Sequence, residues 1–371
     1  MSAPKVFIIA GEASGDAHGS GLMASMAERE PGIEFAGLGG PEMAAISQGV
    51  RDWTEEAAVV GLVEVLKKYS YFKAEFDAAL DAAEEFGPDL VVLVDYPGFN
   101  LRFADALRKR GVGGKVVFYI SPQVWAWKRG RIAKMAKSLD RMLCLFPFEV
   151  PLYERSGLDA VFVGHPMGER LGELRGSVER DPDLVALLPG SRGREVEKIF
   201  PVLLGAAAEM RKLRPGLRFA SAAANEKLAA RMTGLAEAEG VPCEIGVGGA
   251  AELMARACCG AVASGTASLE AAFLGLPYCL VYKVARPTYY AARALMAVEY
   301  LGMANLLAGR EMVRELLQDD ARPENVAAEL LRFVESAPDR EALAAELQEV
   351  TAPLAEPGAY ARAAEATLGC L

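Results

Sequence analysis

The chain has 371 residues, 52% hydrophobic and 24% charged, an ordinary globular composition at a length sufficient for two domains. A formal net charge of -10 excludes a protein whose main business is gripping a nucleic-acid backbone, which needs a basic face. Six cysteines with no CxxC spacing and only two histidines, His18 and His165, exclude a disulfide framework and a multi-histidine zinc site. Only a carboxylate-bound magnesium stays open.

At the N-terminus, MSAPKVFIIAGEAS carries one lysine and a short apolar stretch that Glu12 and Asp16 interrupt before a signal-peptide core is complete. No run of about 18 apolar residues follows. The expectation is a chain that is neither exported nor membrane-spanning.

In chain order, KVFIIAG, DLVVLVD, KVVFYIS, RMLCLFP and AVFVGHP are unbroken apolar runs of strand length that alternate with helical stretches. Strands of this kind are buried on both faces of a parallel sheet. The polar stretch MGERLGELRGSVERDPD then interrupts the pattern as a linker, and the alternation restarts with LVALLPGS, a helix over about 194–213, LRFASAAA, CEIGVG, CGAVASG and PYCLVYKV. The pattern predicts an α/β protein of two doubly wound, Rossmann-like domains facing a cleft. Their expected bounds are 1–165 and 166–345, with a helical segment over 346–371.

Ligands of doubly wound sheets sit beyond the carboxyl ends of strands, so the turns there carry the functional information. IIAGEASGDAHGSGL lies between the first strand and a helix GLMASMAER, and places Gly11, Gly15 and Gly19 on a turn. Its GxxxGxxxG spacing matches no nucleotide fingerprint, and an anion cradle and a turn capped by Ser14 or Asp16 weigh evenly. Asp95, at the end of LVVLVD, is placed to take a proton from a hydroxyl, although spacing alone favours an ordinary turn aspartate. LPGSRGREV supplies Arg192, a forked permanent cation. ASGTASLEAA puts Ser264, Gly265, Thr266, Ala267 and Ser268 at a helix N-terminus suited to a diphosphate, with Glu270 one step inside and able to accept from ribose hydroxyls; the bland alternative is a capped helix.

Two further stretches suggest another kind of partner. Residues 59–76 space Val59, Val63, Leu66, Tyr69 and Phe72 near helical periodicity among Lys67, Lys68 and Lys73. Such a helix lies in a membrane interface or packs on a core, and periodicity does not separate the two. SPQVWAWKRGRIAKMAK sets Trp125 and Trp127 beside five cations, a basic cluster in an acidic chain that suits an anionic acceptor or lipid headgroups.

Taken together, AGEASGDAHG, SPQVWAWKRGR, LFPFE, VGHP, LPGSR, ASGTASLEAA, NLLAGRE and ELLQ, in that order from Ala10 to Gln318, resemble the lipid-A-disaccharide synthase family. The resemblance implies a GT-B glycosyltransferase, inverting and with no required cofactor or metal, that joins UDP-2,3-diacylglucosamine to 2,3-diacylglucosamine 1-phosphate and releases UDP. It implies Asp95 as the base and Glu12, Ser14, Gly15, Asp16, His18, Trp127 and Asn305 at the acceptor and sugars. Arg192, Ser264 to Ser268 and Glu270 would hold the nucleotide. The 346–371 segment would return to the first domain. Because both substrates are acylated, the expectation moves toward membrane docking through Val59, Val63, Leu66 and Phe72 and a cytoplasmic enzyme held peripherally at the inner membrane; whether the chain is a homodimer stays open. Met303, Ala304 and Arg314 depart from the family's Leu-Pro pair and proline at the loop carrying Asn305. The alternatives are a UDP-sugar 2-epimerase of the same fold and a non-catalytic nucleotide-binding module.

Overall fold

The computed structural model describes residues 3–54, 69–126, 129–286, 289–290, 293, 296 and 298–371. The chain divides into two compact units, one formed by residues 1–166 with 356–371 and the other by 167–355.

The first unit runs β1 (Lys5–Ala10), α1 (Ala13–Arg29), β2 (Glu34–Gly39), α2 (Pro41–Ile46), β3 (Val50–Asp52), α3 (Tyr69–Phe86), β4 (Leu90–Val94), α4 (Pro97–Arg110), β5 (Lys115–Tyr119), α5 (Ile132–Ser138), β6 (Arg141–Cys144), α6 (Val150–Glu154) and β7 (Asp159–Phe162). Its strands pair in parallel in the order β3-β2-β1-β4-β5-β6-β7. β4, Leu-Val-Val-Leu-Val, is buried at every position, which explains its lack of alternation: both faces are covered. A core of Phe7, Phe99, Phe103, Phe118, Trp53 and Tyr153 fills one side of the sheet. Stacked and edge-on rings, such as Phe7 on Phe103 and Phe76 against Phe99, give it directional packing.

The second unit runs α7 (Met167–Leu171), β8 (Asp181–Leu188), α8 (Gly193–Leu213), β9 (Arg218–Ala223), α9 (Glu226–Ala238), β10 (Glu244–Val247), α10 (Ala250–Arg256), β11 (Ala257–Ala263), α11 (Thr266–Phe273), β12 (Tyr278–Tyr282), α12 (Met303–Ala308), β13 (Glu315–Leu317), α13 (Pro323–Glu335) and α14 (Ala337–Val350). Its parallel order is β10-β9-β8-β11-β12-β13. Local chemistry sets the helix starts: the Asn225 side chain accepts from the Leu228 amide to cap α9, and proline opens α13.

The last helix, α15 (Ala359–Leu368), belongs to the first unit. It is fixed there by polar contacts. Arg362 donates to the Val163 carbonyl at 2.9 Å, Arg141 donates to the Ala366 carbonyl at 2.7 Å, and the Tyr360 hydroxyl lies 3.1 Å from His18 Nδ1. The return begins at Glu356 and not at 346, because α14 packs within the second unit.

Two expectations need correction or placement. The long glycine turn before a helix at Gly21 does not hold: α1 already starts at Ala13, so Gly15 and Gly19 are helical and only Gly11 and Glu12 form the turn. Gly19 is small because Met43 of α2 lies where a side chain would go. Val59, Val63 and Leu66 lie outside the described residues, and Phe72 is half-buried against the first unit's core. No helix among the described residues is long and apolar enough to cross a membrane.

Candidate active site

In each sheet the strand order reverses once, between β1 and β4 in the first unit and between β8 and β11 in the second. Loops diverge to opposite faces at such a point and leave a crevice beyond the strand ends. The residues expected to carry chemistry follow these four strands. Glu12 comes after β1, Asp95 after β4, Arg192 after β8, and Ser264 to Ala267 after β11.

Asp95 and Tyr96 both have left-handed backbones, with φ of 45° and 48°. For non-glycine residues this costs on the order of 1–3 kcal/mol each. The surroundings enforce it. The Tyr96 ring lies against Gly11, where a Cβ would overlap it, and meets Trp53 edge-on. The wholly buried Asn100 donates from Nδ2 to the Asp95 carbonyl at 2.8 Å and the Val94 carbonyl at 3.2 Å. The Asp95 amide donates to the Tyr119 carbonyl at 2.9 Å. Burial and then the charge of Glu12 hold the Asp95 carboxyl above its ordinary range, against one lowering hydrogen bond from the Tyr96 amide. The result is a half-buried carboxylate of raised basicity on a fixed backbone, as a general base requires.

The other residues expected in the acceptor half divide. Glu12 and Ser14 are exposed at the start of α1 and free to meet a ligand. Asp16 is not. It is 2% exposed, and its carboxylate accepts from the amides of Gly40, Glu42 and Met43 at 2.8, 2.9 and 3.0 Å, so it caps α2. Gly15 is buried in α1, His18 is half-buried beside Tyr360, and Trp127 lies outside the described residues.

The first unit also holds a buried polar cluster that sequence reasoning missed. Glu149, 1% exposed, accepts from Trp125 Nε1 at 2.9 Å and from the Phe146 amide at 3.1 Å. Ser121 and Tyr153 hydroxyls lie 2.7 Å apart beside it. Burial raises Glu149 to about 7, despite hydrogen bonds from Phe146, Trp125 and Ser121 that favour the charged form.

In the second unit, Arg192, Ser264, Gly265, Thr266, Ala267 and Glu270 line one cavity of about 440 Å³, completed by Gly190, Ala222 to Ala224 and Gly248. Arg192 is largely exposed and donates to Glu195 at 3.2 Å. Thr266 and Ala267 open α11, where backbone amides lack helical partners and favour an anion. Ser268 is turned away: 2% exposed, its hydroxyl donates to the Gly265 carbonyl at 2.7 Å. The Glu270 carboxylate, at the cavity wall, takes a hydrogen bond from Arg170 of α7, a partner no motif announces.

The Asn305 side chain is turned into the second unit's interior. It is fully buried, donating to the Val313 carbonyl and Glu315 at 2.7 and 2.9 Å and accepting from the Met312 and Val313 amides at 2.8 Å each. All its hydrogen-bonding capacity holds the loop before β13. Among the described residues, no three His, Cys, Asp or Glu side chains gather as metal ligands.

A family profile described as Lipid-A-disaccharide synthetase matches residues 6–366. The lipid-A-disaccharide synthase of Trichlorobacter lovleyi is 39% identical over 376 residues, 97% of this chain and 96% of that protein. That of Geobacter sulfurreducens is 38% identical over 339 residues, 89% and 88% of the two chains. Among solved structures, UDP-GlcNAc 2-epimerase from Neisseria meningitidis superposes with TM-score 0.62 at 11% identity, covering 100% of both chains. A calicheamicin glycosyltransferase superposes with TM-score 0.59 at 18% identity, covering 100% of this chain and 99% of that one. At such identities the structures speak for the fold, GT-B. The near-full-length family match and the sequence relatives decide the rest: the chain belongs to the lipid-A-disaccharide synthase family, glycosyltransferases of lipid A biosynthesis.

Proposed function

We propose that the chain transfers 2,3-diacylglucosamine from its UDP conjugate to the 6-hydroxyl of 2,3-diacylglucosamine 1-phosphate, with inversion, giving a β-1,6 disaccharide and UDP. The observation that carries this reading is Asp95, a carboxylate of raised basicity on an enforced left-handed backbone at the switch point of the first unit's sheet. Asp95 takes the proton of the acceptor hydroxyl as its oxygen attacks the donor's anomeric carbon, and the bond to the UDP oxygen breaks. Negative charge grows on the departing diphosphate, where Arg192 and the α11 amides of Thr266 and Ala267 meet it. Glu270, oriented by Arg170, accepts from the ribose hydroxyls.

Glu12 and Ser14 are assigned to sugar hydroxyls on their exposure beside Asp95. Asp16, Asn305 and the Ser268 side chain serve as supports of these loops and not as ligand contacts. Acylated substrates place the enzyme at the cytoplasmic face of a membrane as a peripheral protein. The deciding experiment incubates the purified protein with both acylated sugars and follows UDP and disaccharide. Acceptor-dependent release of UDP with matching disaccharide is expected; UDP release that ignores the acceptor would refute the reading.

A further inference from the structure

Between α4 and α5 of the first unit lies a groove of about 160 Å³, lined by Arg102, Arg131, Lys134 and Asp105 over the apolar Leu101 and Met135. Lys134 pairs with Asp105 at 2.8 Å, which neutralises the one carboxylate of the groove. Arg102 and Arg131 are exposed and have no ion-pair partner among the described residues. Two uncompensated guanidinium groups therefore face one small space in a chain whose formal charge is -10. The excess is local: residues 128–137 hold five cations and no carboxylate.

We propose that this α4–α5 groove is a phosphomonoester-binding site that takes the 1-phosphate of the acceptor sugar. Two forked, permanently charged donors match a phosphate dianion in charge and in hydrogen-bond geometry. The volume is well below the roughly 300 Å³ of a complete small-molecule site, so the groove holds a group and not a nucleotide. Its upper rim is Pro97 and Gly98, the first turn of α4, which directly follows Asp95 and Tyr96. The rim of the groove thus begins two positions along the chain from the base. Leu101 and the buried Met135 form the apolar floor beneath the two guanidinium groups. The assignment rests on the reading that the first unit takes a phosphorylated acceptor.

The test uses the full chain with Arg102→Gln, Arg131→Gln and the double substitution, and Lys109→Gln on the same helix outside the groove as control. Each arginine variant is expected to raise the KM for the phosphorylated acceptor about tenfold, leaving the KM for the nucleotide sugar unchanged. With 2,3-diacylglucosamine lacking the phosphate, variant and wild type should become equal. Glucosamine 1-phosphate, followed by its ³¹P line width, should bind the wild type and the Lys109 control but not the double variant. A deficit that persists with the unphosphorylated acceptor, or an unchanged acceptor KM, overturns the proposal. Loss of binding to phosphatidylglycerol vesicles, with acceptor KM in detergent unaltered, overturns it too and assigns the groove to bilayer headgroups. Should the wild type form no disaccharide, the transferase reading fails while the ³¹P measurement still decides the groove.

Discussion

Glu12 and Asp95 stand after the adjacent parallel strands β1 and β4, and the charge of Glu12 adds to burial in raising the pKa of Asp95. A base works only when deprotonated, so activity falls as pH drops through the raised Asp95 pKa. Replacing Glu12 by Gln removes one of the two raising influences. The acidic limb of the kcat/KM profile should therefore move to lower pH in Glu12→Gln. Asp95→Asn, with the base removed, should lose about 10²- to 10⁴-fold in turnover while still binding UDP. An acidic limb that stays put in Glu12→Gln would assign it to another group.

Arg170 and Glu270 form a second pair, in the nucleotide half. The Arg170 side chain is 59% exposed and Glu270 12%, so solvent screens the attraction and the pair's worth lies in orientation. Arg170→Met should weaken UDP binding about two- to fivefold, the range of an exposed ion pair. Glu270→Ala should weaken it about tenfold or more, through lost bonds to ribose. With Ala at 270, the Arg170 substitution should add nothing further. Titration calorimetry with UDP on the four proteins measures this coupling.

How much of this the sequence revealed depended on the range of each interaction. Buried strands such as Leu90–Val94 are legible because unbroken apolar runs have few other homes. Asp95, Arg192 and Ser264 to Ala267 could be placed at strand ends because strand-to-turn boundaries are local. Asp16, Asn305 and Ser268 look like ligand groups in the sequence, whereas the structure turns their side chains to partners that lie elsewhere in the chain or in the geometry of a turn. The partners of Asp16 are amides 24 to 27 positions away. The same holds for Glu149, whose bond to Trp125 spans 24 positions and leaves no periodic trace. Glycines misled differently: GEASGDAHGSG looks like a loop because glycine is rare in helices, yet Gly15 and Gly19 lie in α1 and Gly19 admits Met43.

Asn305 separates support from catalysis. Its amide holds Glu315 and the 312–313 backbone, and Glu315 in turn accepts from the Leu301 and Gly302 amides at 2.9 and 2.8 Å. Asn305→Ala strands buried donors and acceptors on both sides. It should cost about 2–4 kcal/mol of stability, seen as a lowered urea midpoint. UDP affinity of the folded fraction should stay at the wild-type value, because Asn305 is absent from the nucleotide cavity's lining.

Glu149 should make stability depend on pH. Its ordinary value is 4.5 and burial raises it to about 7, so between these values the folded chain keeps a proton that the unfolded chain releases. Stability attributable to this group is then greatest below the lower value and declines as pH rises through the window, by on the order of 3 kcal/mol at full extent. The direction is opposite to that of a salt-bridged carboxylate, which gains stability as pH rises. Glu149→Gln keeps an acceptor for Trp125 Nε1 but cannot ionise. Urea unfolding at a series of pH values should show the wild type losing stability relative to the variant from about pH 4.5 to 7, with no further divergence above that range. Parallel curves across the window would mean that Glu149 stays charged in the folded chain.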